Sequence, residues 1–494
     1  MSDFGASRER FEAVLGWLEG EAAGALTHAE LETRLEVQGR ELMRQLLQDH
    51  LELRAERETR LESVVDAAGV VHGSVEPNQN RGLQTVFGEV RVRRFAYRQK
   101  GHANLHPADA LLNLPLDSQS HGLRRLSAIE STRDSFDDAV AAVERSTGQR
   151  LGKRQLEGLV LKAAADFEEF YAARSRSPAD AADTLILSCD GKGIVMRPEA
   201  LRPATAEAAA RATPKLATRV SKGEKRSRKR MAEVGSVYEI TPSPRSPADI
   251  LAGHDDQAGD PVPAPTATNK GVTASVVEDA ATVLGRVFDE AERRDPEHAR
   301  TWVALVDGNN HQIDRIQVEA WARGVEVTTV IDFIHVLEYL WKAAWCFFAE
   351  GDSEAERWVH EKGLAVLSGH ASRVASAIRK EATTLELDTA TRSNADTCAD
   401  YLLNKRQYLD YPTALERGWP IATGVIEGAC RHLVKDRMDI TGARWGLAGA
   451  EAVLKLRAII CNHEFADYWG FHLSHEHARV HCSRYADRSV PRAA

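Results

Sequence analysis

Three apolar runs, each followed by an aspartate, constrain this chain more than any other feature of its sequence. Each run has the length and composition of a buried strand, and the acids that follow are Asp190, Asp307 and Asp332. A strand that ends in Asp-Gly is also typical of a plain turn. If the three strands are parallel neighbours, however, their acids lie along one edge of a sheet, where ligands gather in α/β proteins. Because Mg²⁺ prefers carboxylate oxygens, this repetition predicts a metal site.

Length and composition indicate a large water-soluble protein. The chain has 494 residues, which is enough for two to four domains, and 28% of them are charged. The sequence contains no apolar run of membrane length and no signal-peptide pattern at its start, so we expect no membrane association and a cytoplasmic, nucleoid-associated location. The formal net charge of −9 excludes a protein that is basic over its whole surface, but local basic patches decide contact with nucleic acid.

The cysteines and the C-terminal histidines do not form a zinc motif. The six cysteines are scattered without a Cys-x-x-Cys pair, which argues against a zinc ribbon and favours free thiols. Four histidines and one cysteine crowd the C-terminus: His472, His475, His477, His481 and Cys482. Their spacing matches no zinc site, so we interpret this segment as a polar tail.

The first third of the chain is predicted to be mainly helical. Residues 1–80 are predicted to be a helical N-terminal region, with helix from residue 8 to about 60, where apolar stripes recur at helical spacing. This suits a scaffold or a dimerisation surface better than direct DNA contact. Residues 81–175 are predicted to form a small β-hairpin and a helix-turn-helix-like DNA-binding region. The hairpin is placed around Phe87–Tyr97, where residues alternate at strand period.

The helix-turn-helix prediction depends on two helical segments joined by a glycine-containing turn. These segments are Phe136–Ser146 and Lys153–Phe167, and the second begins with polar and basic residues. The DNA contacts predicted here are Arg150, Lys153 and Arg154. Two packed helices with a glycine turn are common, so a purely structural role is the alternative.

The catalytic core is predicted over residues 176–335. Three early strands, at Thr184–Asp190, Ile194–Arg197 and Glu233–Ile240, precede a helix–strand–helix–strand order that suits an RNase H-like sheet. A proline-rich segment at 241–270 is expected to be a flexible loop, followed by a helix over Ser275–Arg294.

The remainder of the chain is predicted to be an insertion and a last catalytic helix. Residues 336–415 lack strand signals and form the all-helical insertion, and 416–494 hold the last catalytic helix and the tail. The predicted fold class is therefore an α/β RNase H-like catalytic core with an all-helical insertion, preceded by a mainly helical N-terminal region with a small β-hairpin.

A basic tract lies between two predicted strands of this core. It runs from Lys215 to Arg230 and holds a single acid. The DNA-backbone contacts assigned to this region, together with the lysine that follows the first aspartate, are Lys192, Lys225, Arg226, Arg228, Lys229 and Arg230. A solvated loop is the alternative for such a run.

A further acid, Glu427, completes the predicted site. On a helix that begins near Thr423, Glu427 shares one face with Arg431 and Lys435 at four-residue spacing. The segment is compatible with a surface ladder of ion pairs. It is equally compatible with a metal-binding glutamate whose neighbouring cations, Arg431 and Lys435, hold phosphate.

Several stretches of the chain resemble one family. These are Asp-Gly-Lys-Gly (190–193), Lys-Arg-Met-Ala-Glu-Val-Gly-Ser-Val-Tyr (229–238), Val-Asp-Gly-Asn (306–309), Val-Ile-Asp-Phe-Ile-His-Val-Leu-Glu-Tyr-Leu-Trp (330–341), Thr-Gly-Val-Ile-Glu-Gly-Ala-Cys-Arg-His-Leu-Val-Lys-Asp-Arg (423–437) and Thr-Gly-Ala-Arg-Trp (441–445). Together they resemble insertion-sequence transposases of the DDE class, most closely the ISKra type, which is related to Mutator-like transposases. The resemblance covers roughly residues 183–470.

This resemblance implies an activity and a set of site residues. It implies that Asp190, Asp307 and Glu427 are catalytic and bind two Mg²⁺ ions, for which Mn²⁺ is expected to substitute. It also implies that Asp332 and His335 support the site. The expected activity is Mg²⁺-dependent strand cleavage and strand transfer, and the expected partners are the transposon's terminal inverted repeats, target DNA and further copies of the chain in a dimer or larger homo-oligomer.

Two other functions are compatible with the same sequence. One is a metal-dependent DNA nuclease of the same fold that cuts without strand transfer. The other is a non-catalytic DNA-binding protein derived from a transposase, which the three retained acids disfavour.

Overall fold

The computed structural model describes residues 4–175, 183–211, 216, 218, 228–251, 261–440 and 442–492. The chain divides into two compact units. The first unit comprises Met1–Ala173 together with His463–Ala494, and the second comprises Arg174–Asn462. The predicted C-terminal segment 416–494 is therefore shared between the two units, because its last helix packs with the N-terminal part of the chain.

The described residues form twenty-one α-helices. In chain order the helices are α1 (Gly5–Leu18), α2 (Glu21–Gly24), α3 (His28–Glu56), α4 (Pro107–Leu111), α5 (His121–Arg133), α6 (Phe136–Thr147), α7 (Lys153–Ala163), α8 (Phe167–Ala173), α9 (Pro203–Arg211), α10 (Pro247–Ile250), α11 (Ala280–Arg294), α12 (Asn310–Arg323), α13 (Phe333–Ala344), α14 (Ser353–Leu367), α15 (Ala371–Thr384), α16 (Ser393–Asn404), α17 (Tyr411–Glu416), α18 (Gly424–Ala429), α19 (Asp436–Met438), α20 (Leu447–Cys461) and α21 (Phe465–Val480). A π-helical segment, Cys430–Lys435, connects α18 to α19. Short 3₁₀ turns lie at Pro198–Ala200, Arg406–Tyr408, Cys482–Arg484 and Ala486–Arg488.

The strands form one larger sheet and two small ones. In chain order they are β1 (Val64–Val65), β2 (Val71–His72), β3 (Ser74–Thr85), β4 (Gly88–Arg98), β5 (Thr184–Val195), β6 (Lys229–Ile240), β7 (Ala267–Ser275), β8 (Trp302–Val306) and β9 (Val327–Ile331). In the first unit β1 pairs with β2, and β3 pairs with β4, in both cases antiparallel. The second unit holds a five-stranded sheet in the order β7-β6-β5-β8-β9.

The helical prediction for residues 1–80 is wrong beyond α3. Helix α3 ends at Glu56, and two short strands and the long strand β3 follow before residue 80. The predicted hairpin is present but longer, because β3 and β4 pair over most of their length around the turn between Thr85 and Gly88. A valine-rich stretch near residue 70 carries the strand signal that the helical interpretation overlooked.

The predicted helix pair is present in the first unit as α6 and α7. Helix α6 ends at Thr147, and Gly148 after it has a φ of 69°, the left-handed conformation that terminates many helices. Helix α7 begins at Lys153, as predicted, but ends at Ala163 instead of Phe167. Both helices pack against α5, so the pair belongs to a three-helix group.

The C-terminal histidines do not lie in a polar tail. They belong to α21 and the turn after it, and His472 is fully buried. Nδ1 of His472 lies 2.6 Å from Oδ2 of Asp166. The Asp166 carboxylate also accepts hydrogen bonds from Arg479, one on each oxygen. The prediction failed because a histidine contributes to a core when a buried carboxylate is its partner, and Asp166 is remote in the sequence.

The sheet of the second unit combines antiparallel and parallel pairing. Strands β5, β6 and β7 pair antiparallel, whereas β5–β8 and β8–β9 pair parallel. Every residue of β8 is buried, and so are the successive residues Leu185, Ile186 and Leu187 of β5. Because neighbouring residues of a strand point to opposite faces, the centre of this sheet is covered on both sides.

Strand β5 continues through the Asp-Gly-Lys-Gly sequence. The predicted break before Ile194 is absent, because residues 190–195 stay paired with β6. A Cβ at Gly191 would lie 2.9 Å from Met231 Cε, and one at Gly193 would lie 2.9 Å from Lys229 Cδ. The two glycines therefore allow side chains of β6 to cross the strand, and they do not form a turn.

The proline-rich segment is shorter than predicted, and the helix after it begins later. The sequence analysis assigned 241–270 to a loop, but strand β7 begins at Ala267 and extends to Ser275. Helix α11 then begins at Ala280, where the Asp279 side chain accepts a hydrogen bond from the backbone of Thr282. The structure does not describe residues 252–260 of the predicted loop.

The helical prediction for residues 336–415 is confirmed. Residues 336–415, all of which are described, form helices and a 3₁₀ turn, with no strand.

None of the helices in the described part of the chain combines the length and apolar character needed to cross a bilayer.

We expect the close packing of α11 on the sheet to make Gly235→Ala destabilising. A Cβ at this position of β6 would lie 2.3 Å from Val287 Cγ2 on α11 and overlap it, and overpacking of a core costs about 1–3 kcal/mol. Urea unfolding followed by tryptophan fluorescence measures the loss. Gly449→Ala in α20 is the control, because its Cβ would meet no atom within 4 Å. Equal unfolding midpoints for the two variants would contradict the predicted overlap.

Candidate metal centre and nucleic-acid interface

The parallel strands place two predicted acids side by side. Leu187 of β5 pairs with Ala304 of β8, and the same register continued by three residues aligns Asp190 with Asp307. Neighbouring strands are about 4.8 Å apart, so the two acids leave the sheet next to each other. Asp307 is the first residue after β8. Asp190 lies within β5, at the level where its parallel neighbour β8 has ended.

The third parallel strand adds Asp332 to the same row. Val306 of β8 pairs with Ile331 of β9, so the next residue of each strand aligns Asp307 with Asp332. The predicted gathering of three strand-end acids at one sheet edge is therefore present. The register of β5 against β8, and of β8 against β9, brings the three acids to aligned positions.

Asp332 is buried and its carboxylate is already engaged by the protein. Oδ1 accepts a hydrogen bond of 2.7 Å from the backbone N–H of Ile334. Oδ2 accepts from the hydroxyl of Thr423 and from its backbone N–H, the latter at 3.3 Å, and lies 3.5 Å from Nδ1 of His335. These contacts hold the Asp332 carboxylate in place, and the supporting role expected of Asp332 and His335 stays a prediction.

Thr423 links this buried carboxylate to Glu427. Its hydroxyl contacts Oδ2 of Asp332 and lies 3.1 Å from Oε1 of Glu427. Thr423 directly precedes α18, where the sequence predicts the helix to begin, but its side chain does not cap the helix. The hydroxyl instead connects the end of β9 to the helix that carries the third predicted acid.

Cys430 connects the same helical region to the first acid. Its thiol lies 3.3 Å from Oδ2 of Asp190, whose Oδ1 accepts a 2.6 Å hydrogen bond from the backbone N–H of Gly191. Burial raises the pKa of the Cys430 thiol, and Asp190 and Glu427 raise it further, whereas Lys192 lowers it. The thiol therefore stays protonated and donates to Asp190, and the region around it includes Asp190, Glu427 and Lys192.

The helix after Glu427 has an unexpected geometry. A π-helical segment begins at Cys430 and ends at Lys435, so the chain takes more residues per turn than an α-helix. Glu427, Arg431 and Lys435 therefore do not form the straight four-residue ladder that the sequence predicted. All three side chains are exposed. π-Helical turns occur frequently at functional sites.

The loop at the second acid is fixed by the helical insertion. Oδ1 of Asp307 accepts a 2.8 Å hydrogen bond from the backbone N–H of Asn309, and the Asp307 carbonyl oxygen lies 3.4 Å from the hydroxyl of Tyr401 on α16. Gly308 has a φ of 91°, and a Cβ there would lie 2.7 Å from that hydroxyl. The Tyr401 ring stacks on Tyr339 at a centroid distance of 4.0 Å. The insertion therefore contributes directly to the site.

Two charged residues near the acids were not predicted from the sequence. Burial raises the pKa of the Glu233 carboxyl, and Asp190 adds to this effect. Burial lowers the pKa of the Lys405 ammonium group, and Asp307 opposes that shift. Glu233 is the first residue of the strand predicted over Glu233–Ile240, and in the structure it pairs with Gly191. Pairing the two predicted strands would therefore have indicated that Glu233 lies near the first acid.

The chemistry of the three predicted ligands suits Mg²⁺. Asp190, Asp307 and Glu427 offer hard carboxylate oxygens, and in the part of the chain that the structure describes Oδ2 of Asp307 and Oε2 of Glu427 accept no hydrogen bond. The three do not form a closed ligand cluster. Among the described residues, the only group with ligand atoms all within 4.8 Å of one another is Asp66, His72 and His102.

The predicted DNA-contacting cations of the second unit differ in their surroundings. Lys192 and Lys229 are exposed, and Arg228 is half-buried. Arg230 donates to three backbone carbonyl oxygens at distances of 2.6, 3.2 and 3.4 Å, so its observed interactions are structural. Lys225 and Arg226 lie outside the described residues, and the prediction for them stays a prediction.

The predicted DNA-contacting cations of the first unit are exposed. Arg150 lies in the turn between α6 and α7, and Lys153 and Arg154 begin α7. Lys153 forms an ion pair of 2.7 Å with Asp137 on α6. Arg154 is thus the clearest candidate for an outward contact from the start of this helix.

Comparison with protein-family models and with curated proteins gives no match. The functional assignment therefore depends on the geometry of the site and on the sequence motifs.

We expect Thr423→Val to destabilise the second unit. Valine keeps the shape of the side chain but removes the hydroxyl donated to the fully buried Asp332, and an unsatisfied buried polar group costs about 1–3 kcal/mol. Thr423→Ser keeps the hydroxyl and is expected to stay close to the wild type. Chemical denaturation monitored by circular dichroism compares the three proteins. An undiminished free energy of unfolding in Thr423→Val would mean that this hydrogen bond does not stabilise the fold.

Proposed function

We propose that this chain is a DDE-class DNA transposase that binds the ends of its insertion sequence, cleaves them in a Mg²⁺-dependent reaction and transfers the strand to target DNA. The alignment of Asp190 with Asp307 at the edge of two parallel strands carries the proposal. Glu427 belongs to the same neighbourhood, because its helix is connected to Asp190 through Cys430 and to the row of acids through Thr423.

The topology of the second unit supports an RNase H-like core. Three antiparallel strands come first in the chain, and a helix–strand–helix–strand sequence adds two parallel strands on the other side of β5. The helical residues 336–415 follow and precede the helix of Glu427, which is the position proposed for the insertion. A shared scaffold does not specify a reaction, so the acids and not the sheet carry the assignment of activity.

Asp190, Asp307 and Glu427 are the residues proposed to hold two Mg²⁺ ions, with Mn²⁺ as a substitute. When bound, such ions activate a nucleophile and stabilise the leaving oxygen at a scissile phosphate. The protein's own contribution is positioning. The sheet fixes Asp190 and Asp307, Tyr401 holds the loop of Asp307, and Thr423 contacts Glu427.

Exposed cations around the acids are proposed to bind the DNA backbone. Lys192 lies beside Cys430, and Arg431 and Lys435 follow Glu427 along the π-helical segment. A transposase must accept many target sequences, so contacts at the catalytic sheet should be mostly to phosphate. The basic tract, including Lys225, Arg226, Arg228 and Lys229, is proposed to add backbone contacts of the same kind.

The first unit is proposed to read the element's ends and to bring copies of the chain together. A helix fits the DNA major groove, where all four base pairs differ, and α7 presents Lys153 and Arg154 at its exposed start. Helices α1 and α3 expose large apolar side chains, namely Phe11, Leu15, Leu18, Leu35, Val37 and Met43. Exposed apolar side chains of this kind support the proposed homo-oligomer, with a second copy of the chain as the partner.

We expect Asp190→Asn, Asp307→Asn and Glu427→Gln each to abolish Mg²⁺-dependent cleavage while binding to the element's end DNA survives. Each change removes a negative ligand but keeps the size of the side chain. Glu338→Gln on α13 is the control, because it neutralises an exposed acid that pairs with Lys342 on its own helix. Cleavage is followed on labelled end DNA with Mg²⁺ or Mn²⁺.

Strand joining decides between the transposase and the nuclease. A cleaved end incubated with plasmid DNA should be joined to it by the wild type. Cleavage without joined product would instead assign the nuclease activity. Cleavage at the wild-type rate by one of the three variants would remove that residue from the site.

We expect Arg154→Ala to relax the preference for the element's end DNA over random DNA. Loss of one good base contact costs about 1–3 kcal/mol of discrimination. Arg145→Ala is the matched control, because Arg145 is an exposed arginine on the other helix of the pair. Competition footprinting with the full-length chain measures the preference. If both variants discriminate as well as the wild type, α7 does not read the ends.

A further inference from the structure

A compact group of metal-binding side chains lies in the first unit, within the small sheets that follow α3. Asp66 comes directly after β1, His72 ends β2, and His102 lies in the turn after β4. Their ligand atoms are all within 4.8 Å of one another, which among the described residues is true of no other group of histidine, cysteine and acidic side chains. The proposed transposase chemistry makes no use of them.

The distances within this group match a tetrahedral metal site. Oδ2 of Asp66 lies 3.2 Å from Nε2 of His72 and 3.4 Å from Nδ1 of His102. Zinc binds histidine nitrogen and carboxylate oxygen at about 2.0–2.2 Å, so two ligand atoms on a tetrahedron lie roughly 3.3 Å apart. The two separations from Oδ2 of Asp66 therefore match those of ligands on one shared cation, and the two histidine nitrogens lie within 4.8 Å of each other.

Hydrogen bonds on the outer side of His72 orient its ring for metal binding. Nδ1 lies 3.3 Å from the carbonyl oxygen of Tyr97, which can only accept, so Nδ1 carries the proton. In the neutral ring the lone pair of Nε2 then faces the lone pairs of the Asp66 carboxylate. His72 is 1% exposed, and a cation bound between the two atoms would relieve this contact.

Asp66 is oriented in a similar way. Its Oδ1 accepts backbone hydrogen bonds from Ala68 and Val70, each of 2.9 Å, which leaves Oδ2 directed at the two histidines. Partners of this kind fix the ligands of metal sites and are important for their affinity. Ligand side chains with such outer contacts distinguish a built site from a chance grouping on the surface.

We propose that Asp66, His72 and His102 bind one Zn²⁺ ion. Two imidazoles and one carboxylate suit zinc among the common divalent cations, whereas Mg²⁺ prefers oxygen ligands alone. The side chain of His102 is 40% exposed, so water can take the fourth position. The ion links the turn after β1, the end of β2 and the turn after β4, and its role is to stabilise the first unit.

The test is a zinc titration of the full-length chain after removal of metal with a chelator. Wild-type protein is expected to bind one more equivalent of Zn²⁺ than Asp66→Asn or His102→Ala, or to bind it at least tenfold more tightly. Zn²⁺ is also expected to raise the melting temperature of the wild type, and Co²⁺ at this site should give the intense visible absorption of a tetrahedral complex. His28→Ala is the control, because His28 is exposed on α3.

The alternative is a metal-free group in which a proton on Nε2 of His72 pairs it with Asp66. In that case Asp66→Asn and His102→Ala would take up as much Zn²⁺, and as tightly, as His28→Ala, and this result would overturn the proposal. Because both variants lie outside the acids proposed for catalysis, and because cleavage is not the readout, the outcome is independent of the transposase assignment.

Discussion

The candidate site depends on the register of strand β5 against β8. A shift of one residue would turn Asp190 to the opposite face of the sheet, because side chains alternate along a strand. The buried residues that surround this pairing resist such a shift, since every residue of β8 and the first part of β5 is enclosed. The packing of the core therefore determines which carboxylates meet at the edge, and the polar residues themselves do not have to specify the arrangement.

The three proposed ligands differ in how firmly they are held. Asp190 lies on a strand with a paired neighbour, and Asp307 belongs to a short loop held by Tyr401. Glu427 is exposed on a helix of six residues that continues into a π-helical segment. Asp190 and Asp307 are thus held by the sheet and by a packed loop. Glu427 is instead held by a short helix at the protein surface. The helical insertion supports the packed loop, because its residue Tyr401 occupies the space that only a glycine at position 308 leaves open.

The parts of the structure that were predicted correctly are those with a local signal. Apolar runs of strand length identified β5, β8 and β9, and the acids after them could be placed at one edge without knowledge of any contact. Strand β7 was missed because its polar composition and the preceding prolines resemble a loop. Its position is determined by pairing with β6, which lies well before it in the chain.

The contacts that complete the site could not be predicted from local patterns. Thr423 and Asp332 are separated by 91 residues, and Cys430 and Asp190 by 240. The sequence around each of these four residues indicates only a common structural role, such as a helix cap or a buried thiol. The π-helical segment likewise depends on how the helix fits against its surroundings, and propensity gives no sign of it.

The single hydroxyl proton of Thr423 has a consequence for Glu427. A hydroxyl donates one hydrogen bond, yet the Thr423 oxygen contacts carboxylate oxygens of both Asp332 and Glu427. The proton goes to Asp332, which is fully buried and has no water to replace it, whereas Glu427 is exposed. Glu427 is then left beside a lone pair of the hydroxyl, so its carboxylate can leave this oxygen without losing a hydrogen bond. Binding of the proposed cation by Glu427 would thus break no hydrogen bond among the described residues.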